Sequence, residues 1–363
     1  MLKNTSEGKL YFFIEDQIII EKYNLYEYSN NITEIKNFGE TIPMSYTIFE
    51  DPDIGNNPIM FAVWSGIGDA GLQAGDFLVK ALNAKPFAEI NSSEYYYPTS
   101  TIIEDNVIKG MKFPRNTFYS KKYSKNKNFI FFLSDQQPPI NEDISAEQNI
   151  SYKMANEILD LAQKFGCKRI YTAGATFALI HHSMNSEIMY GTDNHFFTAE
   201  LASILGYKFK MADKFMANDF IGGMNGILPL AAIDRNMEVG VLLGKVPIYL
   251  QTIQIPYPQA AKTIIEAFAK IHKIDIDLEP INKEIEKLNK KIDDIMGKFS
   301  MSIPTEIRKS IFSEINKLKE INKQPKKENS KTTTGTKNLT IKDVKNAINE
   351  IEQFFKKENS DDL

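Results

Sequence analysis

Apolar and polar positions alternate in three distinct rhythms along the chain. The opening residues carry short runs of period two. Leu10–Ile14 and Gln17–Glu21 read as a hairpin with Glu15-Asp16 at its tip. A break rich in turn residues follows at 51–58. Ile59–Ser65 is then continuously apolar, the signature of a strand covered on both faces. Glycines come next and lead into an amphipathic helix over Leu72–Leu82. Residues 86–127 are mixed: a short strand at Pro86–Ile90, a tyrosine-rich turn at Tyr95-Tyr96-Tyr97, then weaker strands or loops.

The second rhythm repeats strand and helix. Phe129–Leu133 is another buried strand. Met154, Ile158, Leu161 and Phe165 mark one face of a helix over Tyr152–Phe165, Gly166 ends it, and Lys168–Thr172 starts the next strand. Strand, helix and strand at this spacing form a βαβ unit with a parallel sheet. The pattern continues with a helix from Phe197 ended by Gly206, a helix over Ile227–Arg235, a strand over Val239–Leu243 and a helix over Pro258–His272. The fold class expected is therefore α/β.

The third rhythm is a heptad. Ile281, Ile285, Leu288, Ile292, Ile295 and Phe299 recur at four and three, an a/d seam, and Ile307–Ile321 repeats the pattern after Pro304. The expected organisation is N-terminal strands packing on the core over 1–50, an α/β core over 51–278 and a helical hairpin over 279–323. A flexible linker over 324–339 and an amphipathic helix over 340–358 complete it. Exposed apolar seams seek partners, so Ile285, Leu288, Ile292, Ile348, Ile351 and Phe355 are the candidate interaction residues, and homo-oligomers are expected.

Charge narrows the partners. Net charge is -4, but residues 281–363 hold 18 basic and 14 acidic side chains, leaving 25 and 33 on the rest. So acidic a body lacks the basic face that nucleic acid requires. No apolar run reaches the ~18 residues of a membrane span, and the polar start has no signal-peptide pattern, so a cytoplasmic protein is expected. The single cysteine, Cys167, excludes an internal disulfide framework and a cysteine-cluster zinc site.

The sharpest motif is Gly66-Ile-Gly68-Asp-Ala-Gly71, a G-x-G-x-x-G between a buried strand and a helix, with Glu89 near the position of a ribose-binding acid. Together with Gly222-Gly223, these residues are the candidate anion cradle of a nucleoside- or nucleotide-binding enzyme. Against that reading, Asp69 places a negative charge inside the loop. The plainer reading is a tight turn whose small residues allow close packing. A metal site would need His181 or His182 with His195 and Asp193 or Glu187, a spacing that matches no known ligand set. Cys167, beside Lys168 and Arg169, sits at the helix end whose dipole disfavours a thiolate, so it reads as a packed side chain. No catalytic set, cofactor site or metal site is expected.

Several blocks in order carry a family likeness: Phe61–Gly66 with Gly68 and Gly71; Phe87–Ile90 with Glu94-Tyr95-Tyr96; Phe132–Pro138; Tyr152–Gly166 with Arg169–Gly174; Gly222–Leu228; Val241–Pro247; Tyr257–Ala261; and Ile274–Leu278. Across residues 55–300 the chain resembles the proteasome assembly chaperone 2 family, in its archaeal and bacterial form. The resemblance implies a three-layer α/β/α domain, phosphorylase/hydrolase-like, here with a helical C-terminal extension. It also implies a non-catalytic protein-interaction factor with a protein partner, such as proteasome core subunits or another protein complex, and homo-oligomers. Some archaeal members engage the proteasome through a C-terminal hydrophobic-tyrosine-any tail. This sequence closes on Ser360-Asp-Asp-Leu363, which departs from that pattern, so gating by that insertion mode is not expected.

Overall fold

In the computed structural model the described residues are 3–4, 10–14, 17–19, 46–52, 54–124, 127–139, 149–178, 180–206, 221–251 and 255–302. Two compact units divide at Ser45/Tyr46. The first holds a three-stranded antiparallel sheet of β1 (Lys3–Asn4), β2 (Leu10–Ile14) and β3 (Gln17–Ile19); Phe12 pairs with Ile19 in the hairpin read from the sequence.

The second unit is organised by hydrophobic strands that alternate their side chains between two cores. Its sheet has eight strands: β4 (Tyr46–Ile48), β5 (Ile59–Trp64), β6 (Lys85–Ile90), β9 (Asn116–Ser124), β10 (Lys127–Ser134), β11 (Arg169–Ala178), β12 (Ile188–Thr192) and β13 (Glu238–Pro247). Their order is β12-β13-β11-β5-β10-β9-β6-β4. The four central strands are parallel and the outer ones antiparallel. A separate hairpin, β7 (Ser100–Glu104) and β8 (Val107–Lys112), makes a two-stranded sheet of its own.

Phe61 and Val63 of β5 face one core and Met60, Ala62 and Trp64 the other. The first core is closed by α1 (Ala70–Ala81), α3 (His195–Leu205), α5 (Pro258–His272) and α6 (Glu279–Ser302). The second is closed by α2 (Ile150–Lys164) and α4 (Met224–Asp234). The α5 face read from periodicity, Ala261, Ile264, Ile265, Phe268 and Ile271, is buried throughout. Each such aliphatic or aromatic side chain contributes about 1.5–3 kcal/mol by leaving water, so this one helix is a large part of what holds the first core.

His272, at the end of α5, is drawn into that core among Phe268, Tyr171 and Phe129, with ring centroids at 4.4, 5.2 and 5.4 Å. Burial, aided by the cations of Arg169 and Lys127, pushes its imidazole down to about 3. Cys167 is buried, and burial alone pushes its thiol up to about 12.

The seam of α6 is spent inside the chain. Ile281, Ile285 and Ile292 are buried in the first core and Leu288 packs against it. This corrects the expectation that Ile285, Leu288 and Ile292 face a partner: the amphipathic stripe finds its apolar surface on α5 and the sheet. Ile348, Ile351 and Phe355, the second helix over 307–321, the linker and the last helix lie outside the described residues.

Candidate functional site

In open α/β sheets, ligands bind beyond the carboxyl ends of the parallel strands, where the chain leaves a central strand to opposite sides. That point here is β5, flanked by β10 and β11. The crest above it gathers the glycine turn after β5, the Gln136-Gln137 loop after β10, the 180–187 loop after β11 and the start of α4.

The glycine turn is locked by its own chain. Gly68 adopts φ +57° and its carbonyl accepts from the Gln73 Nε2 at 2.8 Å and from the Tyr257 backbone N–H at 2.7 Å. A Cβ at Gly68 would stand 2.9 Å from Tyr257 Cβ, so the residue after β13 that opens α5 covers the turn. Asp69 adopts φ +47°, and its carboxylate accepts from Ser65 Oγ at 2.6 Å instead of capping α1. Gly71 lies against the Ala173 carbonyl of β11, where a Cβ would fall onto the oxygen. Gly75 likewise brings α1 close to Val63 and Leu133. The motif's small residues therefore serve the approach of helix to sheet.

The second glycine pair meets the same loop. Gly223 adopts φ +68°, and a Cβ there would collide with Gln137 Oε1. That oxygen accepts the Met224 backbone N–H at 2.9 Å, while Gln137 Nε2 donates to the Ser65 carbonyl at 2.9 Å. One glutamine side chain thus caps α4 and ties it to the end of β5. One of the amides that an anion would use at the start of α4, that of Met224, is bonded to Gln137. Gly66, Gly68, Gly71, Gly222 and Gly223 are brought to one end of the sheet. Glu89 is not: β6 stands three strands from β5, about 14 Å at the usual strand spacing, and runs antiparallel to its neighbours. The turn-plus-acid constellation of the nucleotide alternative is not assembled.

The histidines belong to a different device. His182 is buried, and its backbone N–H donates to the Tyr249 hydroxyl at 2.7 Å. The same hydroxyl lies 2.9 Å from His182 Nδ1, and Nε2 lies 2.9 Å from Asp293 Oδ1 of α6. A carboxylate only accepts, so Nε2–H donates to Asp293, while Nδ1 is engaged by the Tyr249 hydroxyl. The Tyr257 hydroxyl adds a bond to the His182 carbonyl at 3.2 Å. Burial raises the ionisation of both tyrosines far above the ordinary phenol range, so they act as neutral hydrogen-bonding groups. This chain, invisible to sequence spacing, fastens α6 and the β11 loop together.

The metal alternative finds no cluster. Asp193 accepts from the Val239 N–H at 3.1 Å, Glu187 pairs with Lys245 at 3.2 Å, and His195 opens α3. Among the described residues no group of three or more His, Cys, Asp or Glu is placed to hold an ion. No described helix is long and apolar enough to cross a membrane.

The model of the PAC2 family matches residues 60–296, more than half of the chain. An uncharacterized protein of Methanocaldococcus jannaschii is 26% identical over 243 residues, spanning 66% of this chain and 83% of that one. The crystal structure of Pyrococcus furiosus PbaB, an archaeal proteasome activator, superposes with a TM-score of 0.57 at 23% identity, covering 69% of this chain and 97% of its own. Pyrococcus furiosus PbaA, an archaeal homolog of proteasome-assembly chaperone, superposes with a TM-score of 0.53 at 19% identity, covering 76% and 99%.

Proposed function

The chain belongs to the PAC2 family, and from that premise we propose that it is a non-catalytic protein-interaction factor that binds proteasome subunits or another protein complex. The observation that carries the reading is the crest. The surface where α/β folds ordinarily receive small molecules is bonded to itself through Gln137, Tyr257 and the Ser65–Asp69 pair. In this reading the α/β body is a three-layer domain of the phosphorylase type, working in the cytoplasm, and the helices from Glu279 onward extend it. Residues 340–358, with Ile348, Ile351 and Phe355 on one face of the sequence, form a tethered docking element.

The test is affinity purification of the tagged full chain from cells that encode it, with mass spectrometry, followed by native-gel binding to purified proteasome core subunits. A stoichiometric proteasome subunit, or another defined complex, is the expected outcome. Removing residues 326–363 leaves the core's melting temperature within a degree or two and weakens that binding. Recovery of no stoichiometric protein partner under either format overturns the reading.

A further inference from the structure

A groove of about 340 Å³ opens away from the crest, near the end of the sheet where the central strands begin. Lys121, which lines it, pairs with Phe129 early in β10, whereas the crest lies beyond Ser134 at the other end of that strand. Strand order builds the groove, because β6 lies between β4 and β9. The chain leaving β4 stays beside β6: the backbone N–H groups of Phe49 and Glu50 donate to the Phe87 carbonyl at 3.0 and 3.2 Å. On the other side Lys85 of β6 pairs with Ser120 of β9. The floor is therefore Lys85-Pro86-Phe87, one wall is Glu50-Asp51-Pro52 and the opposite wall is Lys121-Lys122. Charge is divided by wall: two carboxylates on one side, two ammonium groups on the other and a third on the floor. The wall segments are two strand spacings apart, about 10 Å. Among the described residues Glu50, Asp51, Lys85 and Lys121 form no ion pair, with each other or elsewhere, so their charged hydrogen-bonding capacity is unspent. Pro52 and Pro86 supply apolar surface between the charges, and the buried Phe87 fixes the floor to the second core.

We propose that this groove binds a small extended zwitterion of about dipeptide length, its ammonium group on Glu50 and Asp51 and its carboxylate on Lys85 and Lys121. Two arguments select that class. The first is sign. A ligand with a single anionic group satisfies the lysines but leaves Glu50 and Asp51 without a partner, and a cation does the reverse. A molecule with opposite charges at its two ends meets both walls at once. The second is size. An extended chain spans about 3.3–3.6 Å per residue, so two residues cover about 7 Å. The charged side chains take up the rest of a gap of about 10 Å between strands two spacings apart. The volume of about 340 Å³ also falls at the small end of ligand pockets, which run from about 300 to 1,000 Å³. The groove is separate from the crest, and the inference stands whether or not the partner of the previous section is a proteasome subunit.

The experiment is isothermal titration calorimetry on the full chain with three probes of one size: alanylalanine, its N-acetyl form, which lacks the ammonium group, and its C-terminal amide, which lacks the carboxylate. Alanylalanine is expected to bind saturably with a dissociation constant of about 1 mM or tighter. Each blocked form is expected to bind about tenfold or more weakly, the loss of one charge-assisted contact. Glu50→Gln and Lys121→Gln are expected to weaken alanylalanine binding by a similar factor. Both leave the melting temperature unchanged, since Glu50 is exposed, Lys121 is half-buried and neither is in an ion pair. The pattern across probes assigns the walls: Glu50→Gln leaves the affinity for the N-acetyl form as it was, and Lys121→Gln leaves that for the amide as it was. No saturable heat from alanylalanine up to about 10 mM overturns the proposal. So does equal affinity for the blocked forms, or binding that both substitutions leave intact.

Discussion

Gly71→Ala tests whether the glycine motif is a packing device. The added Cβ would fall onto the Ala173 carbonyl oxygen and stand 2.9 Å from its carbon. That carbonyl cannot give way, because β11 is held on both sides: Ala173 sits level with Val63 of β5 and Leu242 of β13. The helix must move instead, which pulls Ala74 and Leu78 from the first core. Overpacking of this kind costs about 1–3 kcal/mol, and a rigid backbone obstacle places it at the upper end. Replacing a helical glycine by alanine returns roughly 1 kcal/mol. The net loss is about 2 kcal/mol, a fall in melting temperature of roughly 4–8 °C for a body of this size. Gly110→Ala, with open space around its Cβ, is the control and stays within about 0.5 kcal/mol of the wild type. In the same thermal assay ATP, NAD and nucleosides leave the wild type unshifted; a ligand at 100 times its dissociation constant would add about 2.7 kcal/mol. A Gly71→Ala chain that melts at or above the wild type refutes the packing account. A reproducible nucleotide shift that Gly71→Ala abolishes refutes it in favour of an anion site.

Other predictions follow from single groups. His272 binds its proton near pH 6.5 when unfolded but only near 3 in the fold, so the unfolded chain is the better proton binder between those values. Stability is therefore full above about pH 6.5 and falls as the pH drops toward 3, by on the order of a few kcal/mol; His272→Phe should flatten that acid limb in pH-resolved denaturation, and an unchanged limb would count against the buried neutral imidazole. The Cys167 thiol, raised to about 12 by burial, should react with Ellman's reagent at pH 8 only after denaturant is added; prompt native labelling would contradict its packing. Gln137→Ala strips the cap from Met224 N–H and a donor from the Ser65 carbonyl, and should cost about 1–3 kcal/mol in urea denaturation; a neutral effect would mean the crest is held by other contacts.

Legibility along the sequence followed the range of the forces involved. Helix α5 was readable to the residue, because Pro258 opens it and its buried positions keep a single 3.6-residue period. Strands β5 and β10 announced themselves by continuous apolar runs that only a doubly covered strand needs. Strand β12 did not: Ile188-Met-Tyr-Gly-Thr192 has neither alternation nor a long apolar run, and pairing with β13 defines it. The β7–β8 hairpin read as weak strands or loops, because its apolar residues are exposed and a bulge at Ile102/Ile103 breaks the alternation. Helix α4 starts at Met224, three residues before the apolar run suggested, since its cap is a glutamine 87 positions away. The heptad of α6 was visible, but a seam has no label saying whose surface it meets; here it meets α5.

The glycine fingerprint shows most sharply why a site is harder to read than a fold. A nucleotide turn and a packing turn need the same residue types, because both require backbone to come close to something. What separates them is the neighbourhood. In a dinucleotide fold the next strand lies parallel beside the first and brings its acid to the ribose. Here the next strand, β6, runs out to the far side of the sheet and carries Glu89 with it. The places beside β5 go to β10 and β11, which deliver Gln137 and the Ala173 carbonyl to the two glycine turns. The glycines at 71 and 223 are thus explained by atoms of the chain itself, and a sheet order, not a motif, decides between the two chemistries.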